Sequence, residues 1–210
     1  MHPTTDVKSP FLIYEDAISP LQCERIVDSV EFITLDVNKQ GKPIESTKTS
    51  DLGSSLIHAA IQTHAEEIAT RYGAPILDLD ATRVIWSDST VSPRPLCDNS
   101  VRVQNSWLRV HNRDLVAVVF MSDFNDKPPF DSDFEVYGGK MEFPSHGFGF
   151  NPVRGTMIIL PCDPHFTHLL SPISIGDLYI SKTYITLERP LIYSPKNFPG
   201  TWSQWLSDKF

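Results

Sequence analysis

The stretch "HLLSPISIGDLYISK", residues His168–Lys182, decides the fold. Its histidine is followed four residues later by Pro172, then by the aliphatic Ile173 and by Gly176, before an apolar run that alternates with polar residues. Proline and glycine interrupt regular structure, and alternation is typical of half-buried strands. The stretch therefore predicts a turn followed by a β-strand.

Short apolar or alternating runs also occur upstream of this stretch. They are "ATRVIWS", "LVAVVFMSD", "GKMEFP" and "GTMIILP", and the chain contains 17 prolines and 10 glycines that separate such runs. Many short strands joined by tight connections indicate a sandwich or a barrel.

The N-terminal third has helical periodicity instead. Ser19–Gln22 has the form of a capping box with proline at the first helical position, and predicts a helix over about Pro20–Glu31. A second helix, capped by Asp51 or Ser54, is predicted to extend to about Arg71. We expect these two helices to pack on one sheet of a mainly β, α+β protein.

The length of 210 residues, with 40% hydrophobic and 21% charged residues, predicts a single domain over 1–210. Within it we expect a helical region at about 19–73, a β core at about 76–190 and an aromatic tail at 191–210.

The charge and the apolar pattern exclude several classes of function. The formal net charge of −8 does not favour binding to nucleic acid or to a membrane surface. The N-terminal "MHPTTDVKSP" lacks the apolar core of an export signal, which predicts a cytoplasmic location, or a virion assembled in cytoplasm. Three separated cysteines without a CxxC pair predict reduced thiols.

Five motifs in order resemble the prolyl-4-hydroxylase-like branch of the Fe(II)/2-oxoglutarate oxygenases. They are His168–Lys182, "RDLVAVVFMSD" (Arg113–Asp123), "YGGKMEFP" (Tyr137–Pro144), "PVRGTMIILP" (Pro152–Pro161) and the N-terminal "PFLIYEDAISPLQCERIVD". The likeness covers nearly the whole chain and implies a double-stranded β-helix, or jelly-roll.

The resemblance also implies where a site would lie. Enzymes of this family hold Fe(II) on one face by a His-x-Asp pair and a second histidine, and a basic residue binds 2-oxoglutarate. Carried onto this chain, Asp98 and His168 are retained as metal residues of a vestigial site. Leu96 stands at the first histidine, and Leu178 stands at the basic position.

Other residues remain open as substitutes. Lys182 lies four residues beyond Leu178 on the same strand face and is a candidate for binding the co-substrate. The further candidates are Arg83 and Arg102 for the co-substrate, and Cys97 and His111 for the metal. In the simplest interpretation Asp98 belongs to an ordinary turn and His168 is a hydrogen-bonded structural residue.

Two losses in one cavity favour a protein of this fold that has lost catalysis, binds no cofactor and acts as a structural or protein-interaction component. Small members of this type are frequent in bacteriophages, so a virion or another large assembly is among the expected partners. The alternative is an active hydroxylase with an altered metal site, which would use Fe(II) and 2-oxoglutarate.

Overall fold

The structure is a computed structural model that describes residues 11–30, 46–91, 95–104, 106–128 and 132–191. The helices of this part are α1 (Pro20–Asp28), α2 (Asp51–Thr63) and α3 (Ala65–Tyr72). The strands are β1 (Leu12–Tyr14), β2 (Ser46–Thr49), β3 (Ile76–Leu79), β4 (Arg83–Ser87), β5 (Ser100–Val103), β6 (Ser106–Arg109), β7 (Leu115–Phe120), β8 (Asp123–Phe124), β9 (Glu135–Gly138), β10 (Met141–Phe143), β11 (Phe148–Phe150), β12 (Met157–Pro161), β13 (Leu169–Leu170), β14 (Ile173–Gly176) and β15 (Leu178–Leu187).

Helix α1 begins where the sequence predicts. The Gln22 amide donates to Ser19 Oγ at 3.3 Å, and the Ser19 amide donates to Gln22 Oε1 at 2.9 Å, which completes the capping box. Cys23, Ile26 and Val27 are buried on the face that meets the sheet. The helix ends at Asp28, with Ser29 as its C-cap, three residues before the predicted end at Glu31.

The prediction of one continuous second helix is wrong. Helices α2 and α3 are separated at His64, which has φ −107° and ψ 12°, and whose ring stacks on Tyr14 at 3.8 Å between centroids. The cap of α2 is Ser50, not Asp51 or Ser54, because Ser50 Oγ accepts the Gly53 amide at 2.8 Å. Apolar periodicity continues across the break and so does not reveal it.

The main layer is a seven-stranded sheet with the order β1-β12-β7-β15-β4-β2, and β3 also pairs with β15. Strand β15 is antiparallel to both β7 and β4, so its central residues have backbone neighbours on each side. This pairing gives the side chains of β15 fixed positions.

The second layer is shorter and is built from two three-stranded sheets, β11-β10-β13 and β14-β9-β8. Alternate residues of β7 serve the two cores of the molecule: Ala117 and Val119 pack towards the helices, and Val116 and Val118 pack into the space between the layers. This arrangement confirms the mainly β jelly-roll with N-terminal helices on one sheet.

The predicted aromatic tail at 191–210 lies outside the described residues apart from Leu191. The three cysteines Cys23, Cys97 and Cys162 are free thiols, as predicted. None of the helices in the described part has the length and apolar character needed to cross a membrane.

Candidate functional site

Three buried polar side chains meet between the two layers of the jelly-roll. Lys182 Nζ lies 3.1 Å from Asp98 Oδ1 and 3.2 Å from His168 Nε2. His168 Nε2 lies 3.5 Å from the other carboxylate oxygen, Asp98 Oδ2, and the three side chains are only 4–6% exposed. The two residues that the sequence assigns to a vestigial metal site are therefore neighbours in space, and Lys182 joins them.

The backbone brings Asp98 and His168 together through an antiparallel bridge. The Leu96 amide donates to the His168 carbonyl at 2.7 Å, and the His168 amide donates to the Leu96 carbonyl at 3.1 Å. Directly opposed residues of this kind present their side chains on the same face. Leu96 therefore occupies the position beside His168 that the resemblance gives to a first histidine, although the segment from Leu96 to Asp98 is a bridge and a bend and not a regular strand.

The protonation state of His168 follows from its partners. His168 Nδ1 lies 3.1 Å from the Phe166 carbonyl oxygen, which can only accept, so Nδ1 carries the proton. Burial and the Lys182 charge lower the pKa of His168 to about 4, although Asp98 opposes the shift. The ring is neutral at pH 7, and its Nε2 lone pair accepts a hydrogen bond from the Lys182 ammonium.

Asp98 is held as a carboxylate. Burial alone would raise its pKa, but the Lys182 charge, His168 and hydrogen bonds from Lys182 and Tyr184 keep the pKa below its usual range. Tyr184 donates its hydroxyl to Asp98 Oδ1 at 3.1 Å, and burial together with Asp98 raises the pKa of Tyr184. Asp98 Oδ2 has no hydrogen-bond donor among the described residues, because Nε2 of the neutral His168 bears no proton.

Arg113 extends the cluster towards the surface. Its guanidinium carbon lies 3.7 Å from the centre of the Tyr184 ring, and one of its nitrogens donates to the Asp98 carbonyl at 3.4 Å. Arg113 itself pairs with Asp80, whose Oδ2 lies 3.6 Å from Arg113 Nε, so Lys182 is the cation that contacts the Asp98 carboxylate among the described residues. Sequence reasoning missed Tyr184, although its position two residues after Lys182 places both on one strand face.

The position that the resemblance gives to a basic residue is apolar in the structure as well. Leu178 is 1% exposed and belongs to the apolar cluster between the layers, together with Ile180 and Phe143. It packs closely on Gly139, where a Cβ atom would lie 2.9 Å from Leu178 Cδ2. A co-substrate carboxylate bound at this position would have no positive charge to pair with, because Leu178 is uncharged.

The other substitutes named from sequence do not join the cluster. Arg83 is exposed, and its guanidinium carbon lies 6.0 Å from the centre of the Tyr184 ring. His111 is exposed, and the Cys97 thiol donates to the Cys162 carbonyl at 3.3 Å. The side chain of Arg102 lies outside the described part of the chain, so its role stays a prediction. In the described part of the chain, no group of three or more His, Cys, Asp or Glu side chains is placed to hold a metal ion.

The described residues fit a three-ligand ferrous site only in part. Asp98 and His168 supply two ligand types, Leu96 supplies none, and the Lys182 ammonium lies within hydrogen-bonding distance of both candidate ligand atoms. A divalent ion beside this ammonium would meet like-charge repulsion in a buried place. The arrangement as it stands holds an ammonium ion, not an open coordination position.

A second candidate site is the hairpin formed by β5 and β6, which pair only with each other among the described strands. Large apolar side chains on and beside this hairpin are 43–57% exposed, namely Val101, Val103, Trp107, Leu108 and Val110. The strand register places Val101, Val103 and Leu108 on one face of the hairpin and Trp107 on the other, and we call the three residues of the first face the hairpin patch. Grouped exposed apolar residues of this kind mark protein contact surfaces.

Comparison of the structure with solved structures identifies the fold. The viral collagen prolyl hydroxylase of Paramecium bursaria Chlorella virus-1, solved with 2-oxoglutarate, aligns with a TM-score of 0.60 and 14% identity over 86% of this chain and 97% of that chain. A Pseudomonas putida prolyl-4-hydroxylase aligns with a TM-score of 0.57 and 12% identity over 86% and 94%.

A prolyl hydroxylase of Trichoplax adhaerens, solved with a peptide of the hypoxia inducible factor oxygen degradation domain, aligns with a TM-score of 0.56 and 11% identity over 85% of this chain and 84% of that chain. The sequence matches no protein-family model and no curated protein. The chain has the jelly-roll of the Fe(II)/2-oxoglutarate oxygenases. Within that class its fold is the prolyl 4-hydroxylase-like one, as the sequence motifs indicate.

Proposed function

We propose that this chain is a protein of the prolyl 4-hydroxylase fold that carries out no iron-dependent oxidation and acts as a structural or protein-interaction component. Such a component could serve a large assembly, including a phage virion. A shared fold does not carry the chemistry with it, so the proposal depends on the site.

The observation that carries the proposal is the contact of the Lys182 ammonium with both Asp98 Oδ1 and His168 Nε2. A metal ion would have to bind His168 Nε2 and an oxygen of the Asp98 carboxylate, of which only Oδ2 has no hydrogen-bond donor among the described residues. Leu96 provides no third ligand, and Leu178 provides no charge for a co-substrate carboxylate. An unpaired carboxylate in an apolar interior costs several kcal/mol, on the order expected for any uncompensated buried charge.

The hairpin patch supports the interaction role. A two-stranded hairpin is marginally stable by itself in water, and this one leaves Trp107 43% exposed and Leu108 57% exposed. Exposed tryptophans such as Trp107 are enriched at the centres of protein interfaces. A partner that covers the patch would bury this apolar surface and stabilise the hairpin.

An active hydroxylase remains the second candidate, because Asp98 and His168 are adjacent and Asp98 Oδ2 has no donor among the described residues. The decisive experiment incubates the purified protein anaerobically with Fe(II) and 2-oxoglutarate. We expect no retained iron, no charge-transfer absorption and, after oxygen is admitted, no release of succinate. Stoichiometric iron retained together with 2-oxoglutarate would establish the hydroxylase instead.

The interaction role has its own test. We expect the protein to sediment with a larger assembly in extracts of the cells that express it, and Leu108→Ser to weaken this association. Leu77→Ser is the matched control, because Leu77 is 63% exposed on β3, outside the hairpin. A protein that sediments only as a free monomer, before and after substitution, contradicts the interaction role.

A further inference from the structure

The Lys182 ammonium lies in contact with both Asp98 and His168, and this position indicates a specific role for it. We propose that the Lys182 ammonium is a built-in substitute for a metal ion, which binds the Asp98 carboxylate and the His168 imidazole and thereby excludes divalent ions from them. This inference rests on the proposed function, because it names what occupies the site when iron chemistry is absent.

The charge balance of the cluster supports the substitution. Asp98 contributes one negative charge, the Lys182 ammonium one positive charge, and His168 is neutral with its Nε2 lone pair directed at Nζ. A buried carboxylate needs such a partner. A divalent ion added to this balanced set would bring excess positive charge next to Lys182, because the charge of the neighbouring Arg113 is already paired with Asp80.

The donor geometry supports it as well. An ammonium has three hydrogen-bond donors and no acceptor, and Lys182 directs two donors at atoms that carry lone pairs. Metal ions and ammonium ions thus compete for the same lone pairs, as protons and metals do at ordinary ligands. Asp98 Oδ1 also accepts a hydrogen bond from the Tyr184 hydroxyl at 3.1 Å, so this oxygen has two donors, Lys182 and Tyr184.

The sheet fixes the place from which Lys182 reaches the cluster. Lys182 lies opposite Arg83 of β4 on one side and opposite Val118 of β7 on the other. A residue in the middle of a paired central strand has little freedom to move its backbone. The paired strand therefore fixes the point from which the ammonium reaches Asp98 and His168.

The experiment compares metal uptake by the unaltered chain and by Lys182→Ala. Co(II) is the probe, measured by its visible absorption spectrum and by its effect on the melting temperature. We expect the unaltered chain to bind no Co(II) and to melt at the same temperature with Co(II) or EDTA. Lys182→Ala should lose about 10 °C in Tm and should regain part of it when Co(II) is added.

Two further variants define the ligands. Leu96→His combined with Lys182→Ala should bind Co(II) more tightly than Lys182→Ala alone by about tenfold or more, because a third ligand is added beside His168. His168→Ala combined with Lys182→Ala should abolish the Co(II) effect. Lys127→Ala, at an exposed lysine, is the matched control and should change neither Tm nor Co(II) uptake.

A measurement on the unaltered chain covers the case in which Lys182→Ala does not fold. Nitrogen-15 NMR should show His168 with the proton on Nδ1 and a hydrogen-bonded, unprotonated Nε2. A proton on Nε2, or Co(II) binding by the unaltered chain, overturns the inference.

The inference and the proposed function fail in different ways. If neither the unaltered chain nor the folded Lys182→Ala variant binds Co(II), the ammonium does not exclude metal, while the lack of iron chemistry stands. If the unaltered chain retains iron with 2-oxoglutarate and releases succinate, the proposed function itself is wrong.

Discussion

The row of β15 side chains that lies between the two layers of the jelly-roll has an apolar end and a polar end. Leu178 and Ile180 are buried among apolar side chains, whereas Lys182 and Tyr184 direct polar atoms at Asp98. The four residues alternate on one strand face, so they differ only in how far along the barrel they lie. The comparison teaches that the buried positive charge of β15 lies beside Asp98 and His168, and not at Leu178, the position that the resemblance gives to a basic residue.

We expect the largest effect on stability from a substitution at the polar end. Lys182→Met retains most of the side-chain volume but leaves the Asp98 carboxylate buried without its counter-ion, and we expect a loss of about 3–5 kcal/mol in the free energy of unfolding. Urea denaturation at pH 7 measures it. Combining Lys182→Met with Asp98→Asn removes both charges and should recover much of the loss. A double variant as unstable as Lys182→Met would show that packing, not charge, is responsible.

We expect the next largest effect on stability from a substitution at the apolar end. Leu178→Ala removes buried methyl groups that pack on Gly139 and leaves a cavity, so we expect a loss of about 3 kcal/mol. Denaturation with added 2-oxoglutarate should give the same value as denaturation without it. A clear stabilisation of Leu178→Ala by 2-oxoglutarate would mean that this end still recognises a dicarboxylate.

Acidification should weaken the polar end through His168, and it should also act on the buried His146, whose pKa burial likewise lowers. His168 has a folded-state pKa of about 4 and an ordinary value of 6.5, so the unfolded chain binds a proton first as the pH falls. The protonation of His168 therefore leaves the free energy of unfolding unchanged above pH 6.5. It lowers this free energy by about 2–3 kcal/mol as the pH falls towards 4. Asp98 titrates below this range because its pKa is held low.

Urea midpoints at a series of pH values give this profile. His168→Asn should make the profile shallower between pH 6.5 and pH 4, since the substituted side chain does not titrate. The remaining slope is expected from His146, and a slope as steep as in the unaltered chain would contradict the role of His168.

The smallest effect refines the polar end. Tyr184→Phe removes a hydroxyl that donates to Asp98 Oδ1 at 3.1 Å, but Lys182 still pairs with the carboxylate. We expect a loss of about 1–2 kcal/mol, typical for one hydrogen bond to a charged acceptor. Thermal denaturation measures the change, and a loss as large as that of Lys182→Met would give Tyr184 the more important role.

The sequence predicts the fold of this chain well because its signals are local. Turn residues separate alternating runs, and Ser19 with Gln22 marks the start of α1. The break at His64 could not be predicted in the same way, because apolar spacing continues through it and the contact of its ring with Tyr14 is made between distant segments. Local rules fail where tertiary contacts decide the backbone.

The site could be predicted in its residue types but not in its contacts. The spacing of the motifs indicates Leu96, Asp98, His168 and Leu178, and the structure places the first three at one bridge. The sequence leaves Lys182 as one candidate for binding a co-substrate, and the structure places its ammonium in contact with Asp98 and His168. The side chain is long and flexible, so its position on the strand face does not determine which group it reaches.

The attachment of the Lys182 ammonium to the chain has a thermodynamic consequence. A bound ion stabilises a folded protein by mass action, so its contribution falls with the free ion concentration and disappears when a chelator is present. The Lys182 ammonium is present once per chain at every dilution, and its contact with Asp98 is sheltered from salt by burial. The link between β15 and the segment of Asp98 therefore forms whenever the chain folds, independently of the supply of ions around it.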